Sequence, residues 1–271
     1  MSELIKKEKN GVVYFTSPQL AACRRISHAF FTRKGGLSKG PFESLNMRFN
    51  CDDTRENVLR NHIIGGALVG AEPSNIVCTN QKHTDNVRVI KGKYTEYDGE
   101  DAGVDALVSD VPGLCLTAYF ADCQPIMLFD HKKNVAAIVH AGWRGVQNGI
   151  AVKTLDIMRE EWGCDPADIF AAVGPSICRS CFETDEDVPR LMREAYGNFA
   201  VDFIYQEGDK WHVDLKNITY SSLIRYGLSA INIDMSGICT VCDHQKDLFW
   251  SQRRCGDVRG VQGAMIMIKN K

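Results

Sequence analysis

With 271 residues the chain is long enough to bury a sizeable core, and 32 Lys+Arg against 34 Asp+Glu give it a net charge of -2. That balance points to neither nucleic acid nor an anionic membrane as partner, and the composition, 44% hydrophobic and 24% charged, is that of an ordinary globular protein. The N-terminal MSELIKKEKN has no signal-peptide core and no apolar run approaches about 18 uncharged residues, so the 11 cysteines read as reduced thiols of a cytoplasmic protein rather than a disulfide framework.

Apolar runs predict strands at Val12–Phe15, His28–Thr32, Ile76–Thr79, Val87–Ile90, Ala106–Ser109, Leu114–Tyr119, Ile126–Phe129, Val135–Val139, Ile169–Val173, Val201–Ile204, Ala230–Ile233 and Ala264–Ile268. Asp53-Thr54 reads as the N-cap of a helix to about Val69. A 3.6-residue stripe through Val146, Ile150, Leu155, Met158 and Trp162 predicts a helix over Gly145–Trp162, with two more at Asp185–Tyr196 and Asp214–Tyr226. Strands and helices mix without strict alternation and no linker or repeat is visible, so a single α+β domain over residues 1–271, built on mixed sheets, is expected.

Chemistry gathers at strand ends. VAAIVHAGWRG (Val135–Gly145) ends a buried-looking strand on His140; Asp122 and Cys123 interrupt a second apolar run, and His83 follows a third. Burying such groups costs several kcal/mol unless they are paired or used. His83, Cys123 and His140 make a set of three ligands that leaves one tetrahedral position open, the catalytic rather than the structural zinc pattern. Asp122 is a candidate supporting partner or base. The same residues admit a Cys123–His140 nucleophile–base pair, or a copper site with Met127 as weak axial ligand.

Two CxxC pairs, Cys178/Cys181 and Cys239/Cys242, with His244 and Cys255 close by, carry a structural-zinc signal. The long separation of the pairs puts incidental buried thiols ahead of it. Arg144, at a helix start in an apolar and aromatic context, is the strongest anion-binding candidate. The basic turns Thr32–Gly36 and Gln252–Arg254 are weaker ones, and Lys34 and Lys39 read as solvated charges. The sequence has no GxxxxGK[ST] or GxGxxG phosphate loop, no GxSxG elbow and no H-x-E with P-C-x-x-C.

HAGWRG, together with FFTRKGGLSKGPFESLN (30–46), NQKH (80–83), DALVSDVPGLCLTAYFADCQPIMLFD (105–130), AAVGPSIC (171–178) and CTVC…LFWSQRR (239–254), resembles the laccase-domain (YfiH-like) proteins over nearly the full length. These were long called polyphenol oxidases and are now assigned as purine nucleoside phosphorylases. The resemblance implies zinc held by His83, Cys123 and His140. It also implies phosphorolysis of adenosine, inosine and methylthioadenosine, with deamination of adenosine to inosine. The implied fold is a layered α/β/β/α arrangement related to a toxin deamidase that uses a Cys–His pair. On this reading Arg144 and Arg33 hold phosphate, Asn46 contacts substrate, and the partners are small molecules, with no nucleic acid or membrane. Lys82, Thr84, Gln124 and Ser176 depart from the usual pattern without removing a ligand. The alternatives are a copper-dependent polyphenol oxidase, a Cys–His hydrolase, and a peptidoglycan-precursor proofreading factor or regulator. The last would have its metal closed by a fourth ligand such as Cys115 or His28.

Overall fold

Side-chain alternation decides the architecture. A computed structural model describes residues 3–92, 103–242, 244 and 246–270. In β9 (Val135–Ala141), Val135, Ala137 and Val139 face one core, while Ala136 and Ile138 face another. A strand buried on both faces reads as a continuous apolar run, and its sheet must be covered twice.

β9 lies in a six-stranded sheet of order β14 (Ile233–Met235), β10 (Ile169–Val173), β8 (Gln124–Asp130), β9, β6 (Ala106–Ser109) and β5 (Val87–Ile90). Its edge pairs, β14–β10 and β5–β6, are parallel and its inner pairs antiparallel. A second six-stranded sheet runs β1 (Ile5–Lys9), β2 (Val12–Thr16), β3 (Ile26–Phe31), β15 (Gln262–Ile268), β7 (Cys115–Phe120) and β4 (Ile76–Cys78), with only β4–β7 parallel. Phe30, Leu116, Ala118 and Ile266 of this sheet meet Leu107, Met127, Phe129 and Ile138 of the other in one buried core.

The outer faces carry the helices. Val69 of α2 (Arg55–Val69) packs with Phe31, Met265 and Met267. On the far side lie α3 (Trp143–Gln147), α4 (Ile150–Trp162), α5 (Asp187–Tyr196), α6 (Asn198–Val201) and α7 (Leu215–Tyr226), which pack against β8, β9 and β10. The result is an α/β/β/α stack of mixed sheets. A small sheet of β11 (Glu183–Thr184), β13 (Lys210–Val213) and β12 (Ile204–Glu207) flanks the helical layer, and the short α1 (Pro18–Ala22) and α8 (Gln252–Cys255) complete it.

Several expectations shift. The helix expected over Gly145–Trp162 is two helices, because Gly149 adopts a left-handed φ of 72° and ends the first after five residues. Val201 closes α6, so the strand expected at Val201–Ile204 begins only at Ile204. Ala230–Asn232 is a 3₁₀ turn before β14. The Thr54 side chain caps α2 by accepting from the Asn57 N–H, as the sequence suggests.

Candidate metal centre

His140 is the penultimate residue of β9 and is buried. Its Nδ1 lies 2.8 Å from Oδ1 of Asp105, just ahead of β6, and its backbone N–H donates to the Asp105 carbonyl at 2.7 Å. Asp105 is fully buried, where an unpaired carboxylate would be prohibitive. Its oxygens accept from the backbone N–H groups of Lys82, His83 and Thr84 (3.2, 3.1 and 2.8 Å) and from the Thr84 hydroxyl (2.7 Å). One carboxylate thus fixes both the His140 ring and the loop that carries His83. With Nδ1 engaged by Asp105, His140 presents Nε2 toward Cys123 as its ligating nitrogen, the usual orientation of a metal-binding histidine.

Gln81 anchors the same loop to β7: its Oε1 accepts from Tyr119 N and the Thr79 hydroxyl, and its Nε2 donates to Tyr119 O. His83 then takes a positive φ of 58°, and Asp122, in the turn between β7 and β8, one of 88°. Such conformations cost a non-glycine residue of order 1–3 kcal/mol and persist where the surroundings dictate them. Cys123 follows Asp122, with Sγ 3.7 Å from His83 Nε2. The ligand atoms of His83, Cys123 and His140 all lie within 4.8 Å of one another. Gly142 makes room for them, since a Cβ there would meet His83 Cδ2 at 2.8 Å and Cys123 Sγ at 3.1 Å.

Electrostatics separate the group. Burial pushes the Cys123 thiol up, but the charge and hydrogen bonds of His140 and His83 outweigh it and bring the thiol down to about 6. Burial alone would lower His140, yet the Cys123 thiolate and Asp105 raise it to about 9. Asp105 is raised by burial and carried below the usual carboxylate range by His140 and Thr84. Two imidazoles and a thiolate, one imidazole braced by a carboxylate, fit a single borderline-soft divalent ion.

The centre sits where two cavities meet. One, of about 750 Å³, is lined by His83, Cys123 and His140 with Arg48, Phe49, Arg55, Tyr119 and Arg259. The other, of about 460 Å³, is lined by His83 and Cys123 with Lys82, Trp143, Arg144, Phe182, Arg253 and Arg259. Arg259 borders both. It is 8% exposed, its Nε has no partner, and burial and then Arg48 lower its pKa against the pull of Asp122 and nearby acidic groups. A buried guanidinium with spare donors is an anion-binding group.

Not every residue singled out in the sequence comes here. Asp105, rather than Asp122, faces His140. The Asp122 carboxylate accepts from the hydroxyls of Thr240 and Ser251 and from Arg253 N at 2.6, 2.9 and 2.7 Å, so its hydrogen bonds anchor the turn instead of serving as a base. Arg144 lines the smaller cavity at the start of the five-residue α3, its guanidinium 4.2 Å from the Trp143 ring centre. Arg33 borders neither cavity: its Nε donates to Glu43 O and its guanidinium stacks over Trp250. Asn46 is fully buried, and its amide is spent on Arg48, Asp53 and Val261. Met127 lies in the core between the sheets, away from any axial position. Cys115 packs beneath α2 and His28 accepts from Ser17 N, so neither closes a fourth position. The four CxxC cysteines converge, against the expectation of incidental thiols, while His244 and Cys255 stay outside their group.

Asp105 and Arg259 escaped the sequence reading. Asp105 left one signal, a carboxylate at the mouth of the apolar run Ala106–Ser109; Arg259 left none beyond a lone charge between Val258 and Gly260.

Fold and site together define a layered sandwich with an open, metal-type His/His/Cys centre at the junction of two cavities. The sequence model of the multi-copper polyphenol oxidoreductase laccase family matches residues 27–269, and the chain belongs to that family. It is 32% identical over 270 residues to a purine nucleoside phosphorylase of Bacteroides thetaiotaomicron, covering 97% of this chain and 98% of that protein. It is 31% identical over 236 residues to adenosine deaminase RL5 of an unknown prokaryotic organism, covering 84% of this chain and 88% of that one. The crystal structure of YlmD from Geobacillus stearothermophilus superposes with a TM-score of 0.89 at 28% identity, covering 99% of this chain and all of that one (100%).

Proposed function

We propose that the chain is a cytoplasmic, zinc-dependent purine nucleoside phosphorylase acting on adenosine, inosine and methylthioadenosine, with adenosine deaminase activity. The observation that carries this reading is the buried, under-partnered Arg259 on the border of a nucleoside-sized cavity that also holds His83, Cys123 and His140. His83, Cys123 and His140 would hold the zinc, which supplies Lewis-acid charge beside the reacting atoms. The relatives named purine nucleoside phosphorylase and adenosine deaminase support the substrate class.

In phosphorolysis a phosphate oxygen bonds to C1′ of the ribose while the C1′–N9 bond breaks, and the base leaves with the electron pair and takes up a proton. The transition state is oxocarbenium-like, so a dianion held against C1′ stabilises it. Arg259, with Arg48 beside it, binds and orients that phosphate. Asp105 keeps the His140 ring aimed at the centre. Deamination uses water at C6 of adenine in place of phosphate at C1′ and releases ammonia.

The opposed titration of Cys123 and His140 favours a second reading, a thiolate nucleophile with an imidazolium partner, as in a Cys–His hydrolase. The deciding experiment incubates purified protein with adenosine, with and without phosphate, and identifies products by mass, with His140→Ala as control. Adenine and ribose 1-phosphate formed only with phosphate, and lost in the variant, is the expected result. Inosine formed without phosphate marks the deaminase branch. Absence of turnover of adenosine and inosine would overturn the nucleoside reading.

A further inference from the structure

Next to Asp122, two turns far apart in sequence converge. The 3₁₀ turn Arg179–Cys181 after β10 carries Cys181, with Cys178 as the residue before it. The loop after β14 carries Cys239 and Cys242. An isolated parallel bridge pairs Ser176 with Cys239, and Thr240 N donates to Ser176 O at 3.3 Å, which sets the two turns in register. All four Sγ atoms lie within 4.8 Å of one another, and Cys181 and Cys242 are 3.7 Å apart.

We propose that Cys178, Cys181, Cys239 and Cys242 bind a single zinc ion as a closed, four-thiolate structural site. The spacing carries the argument. A tetrahedral ion bonded to each sulfur at about 2.3 Å puts the sulfurs about 3.8 Å apart; Cys181 and Cys242 already stand at 3.7 Å and every other pair lies within 4.8 Å. A disulfide needs about 2.0 Å, and each of these thiols is free. A cluster of several irons with its inorganic sulfides would hold its thiolates farther apart.

The surroundings are built for concentrated negative charge. Four thiolates around a divalent ion leave two net negative charges. Cys239 Sγ accepts from the backbone N–H groups of Cys178 and Val241 at 3.3 and 3.4 Å. The buried Lys216 ammonium donates to the carbonyls of Ser236 and Ile238 and lies in electrostatic range of Cys239, Cys178 and Cys242. None of the four cysteines lines either cavity, so the cluster stands apart from both. Its effect on the chemistry is mechanical. Ile177 N, one residue before Cys178, donates to the Asp122 carbonyl, and the hydroxyl of Thr240, one residue after Cys239, donates to its carboxylate. The ion thereby clamps the turn that presents Cys123.

The proposal stands independently of the nucleoside reading and is tested by metal content. Protein purified under reducing conditions is analysed by elemental mass spectrometry as wild type, His83→Ala/His140→Ala and Cys178→Ser/Cys242→Ser. About two, one and one zinc per chain are expected. Cobalt substituted into the histidine variant should give the intense thiolate-to-metal charge-transfer bands of a four-sulfur site. If the cysteine variant fails to fold, native alkylation of the histidine variant decides: the four thiols should resist iodoacetamide until a chelator removes the ion. A histidine variant that is metal-free with these thiols freely alkylated would overturn the proposal. So would iron in place of zinc, or a mass showing disulfides.

Discussion

The two cysteine-bearing clusters of this molecule are made of similar ligands to opposite ends. Cys123 and His140 stand at strand ends and His83 in a loop; all three open onto the larger cavity, and Asp105 braces His140 and the His83 loop. The four cysteines come from two turns, lie outside both cavities, and are surrounded by backbone N–H groups and a buried lysine. Three ligands with a cavity leave room for a reactant, whereas four ligands in a closed pocket leave none. Asp122 joins the two: its φ of 88° aims Cys123 at the histidines, while its carboxylate accepts from Thr240 and its carbonyl from Ile177, the residues beside Cys239 and Cys178.

The largest effect that separates the clusters is expected on the histidine side. Asp105→Asn should cost about 10–100-fold in metal affinity at the open centre or in turnover, with the metal of the four-cysteine site retained; metal titration and steady-state kinetics check this. Equal loss of metal from both sites would break the distinction. Arg259→Met should raise the phosphate KM by about 10–100-fold, the equivalent of a charged hydrogen bond of about 1.5–3 kcal/mol, and leave the adenosine KM nearly unchanged.

In metal-stripped protein the open centre should titrate. The Cys123 thiol, lowered from 9.0 to about 6, is a thiolate above that pH, and the stability it contributes is lost as pH falls through about 6. His140, raised from 6.5 to about 9, contributes stability that is full below 6.5 and lost as pH rises through about 9. The thiolate–imidazolium pair therefore exists between about 6 and about 9, and alkylation of Cys123 at different pH values should rise through about 6. An onset near 9 would remove the pairing. The smallest effect is expected at Arg33→Ala: an unchanged phosphate KM, with a loss of stability of about 1 kcal/mol from its stacking on Trp250, read by chemical denaturation.

The central layers were legible because strands such as β8 and β9 are apolar on both faces. The periphery was not. Strand β1, IKKEK, is exposed at every position and bears no alternation. Its one signal was Asn10-Gly11, whose positive φ values of 53° and 77° make the turn into β2. The small β12–β13 hairpin turns likewise on Gly208. At the centre, the three ligands were legible because polar residues at the ends of buried strands need a reason to be there. Asp105 was not, because its role lies in bonds to a loop more than twenty residues away in sequence. Arg33 and Asn46 read as substrate contacts since both stand in a turn-rich polar segment, yet folding uses their polar groups to tie that segment together.

Anomalous X-ray diffraction at the zinc edge from crystals of the purified protein tests the two-site account most directly. The account predicts two peaks: one bonded to His83, Cys123 and His140 with a non-protein fourth position, and one bonded to Cys178, Cys181, Cys239 and Cys242 alone. A fourth protein ligand at the first site, or an absent peak at either, would contradict it.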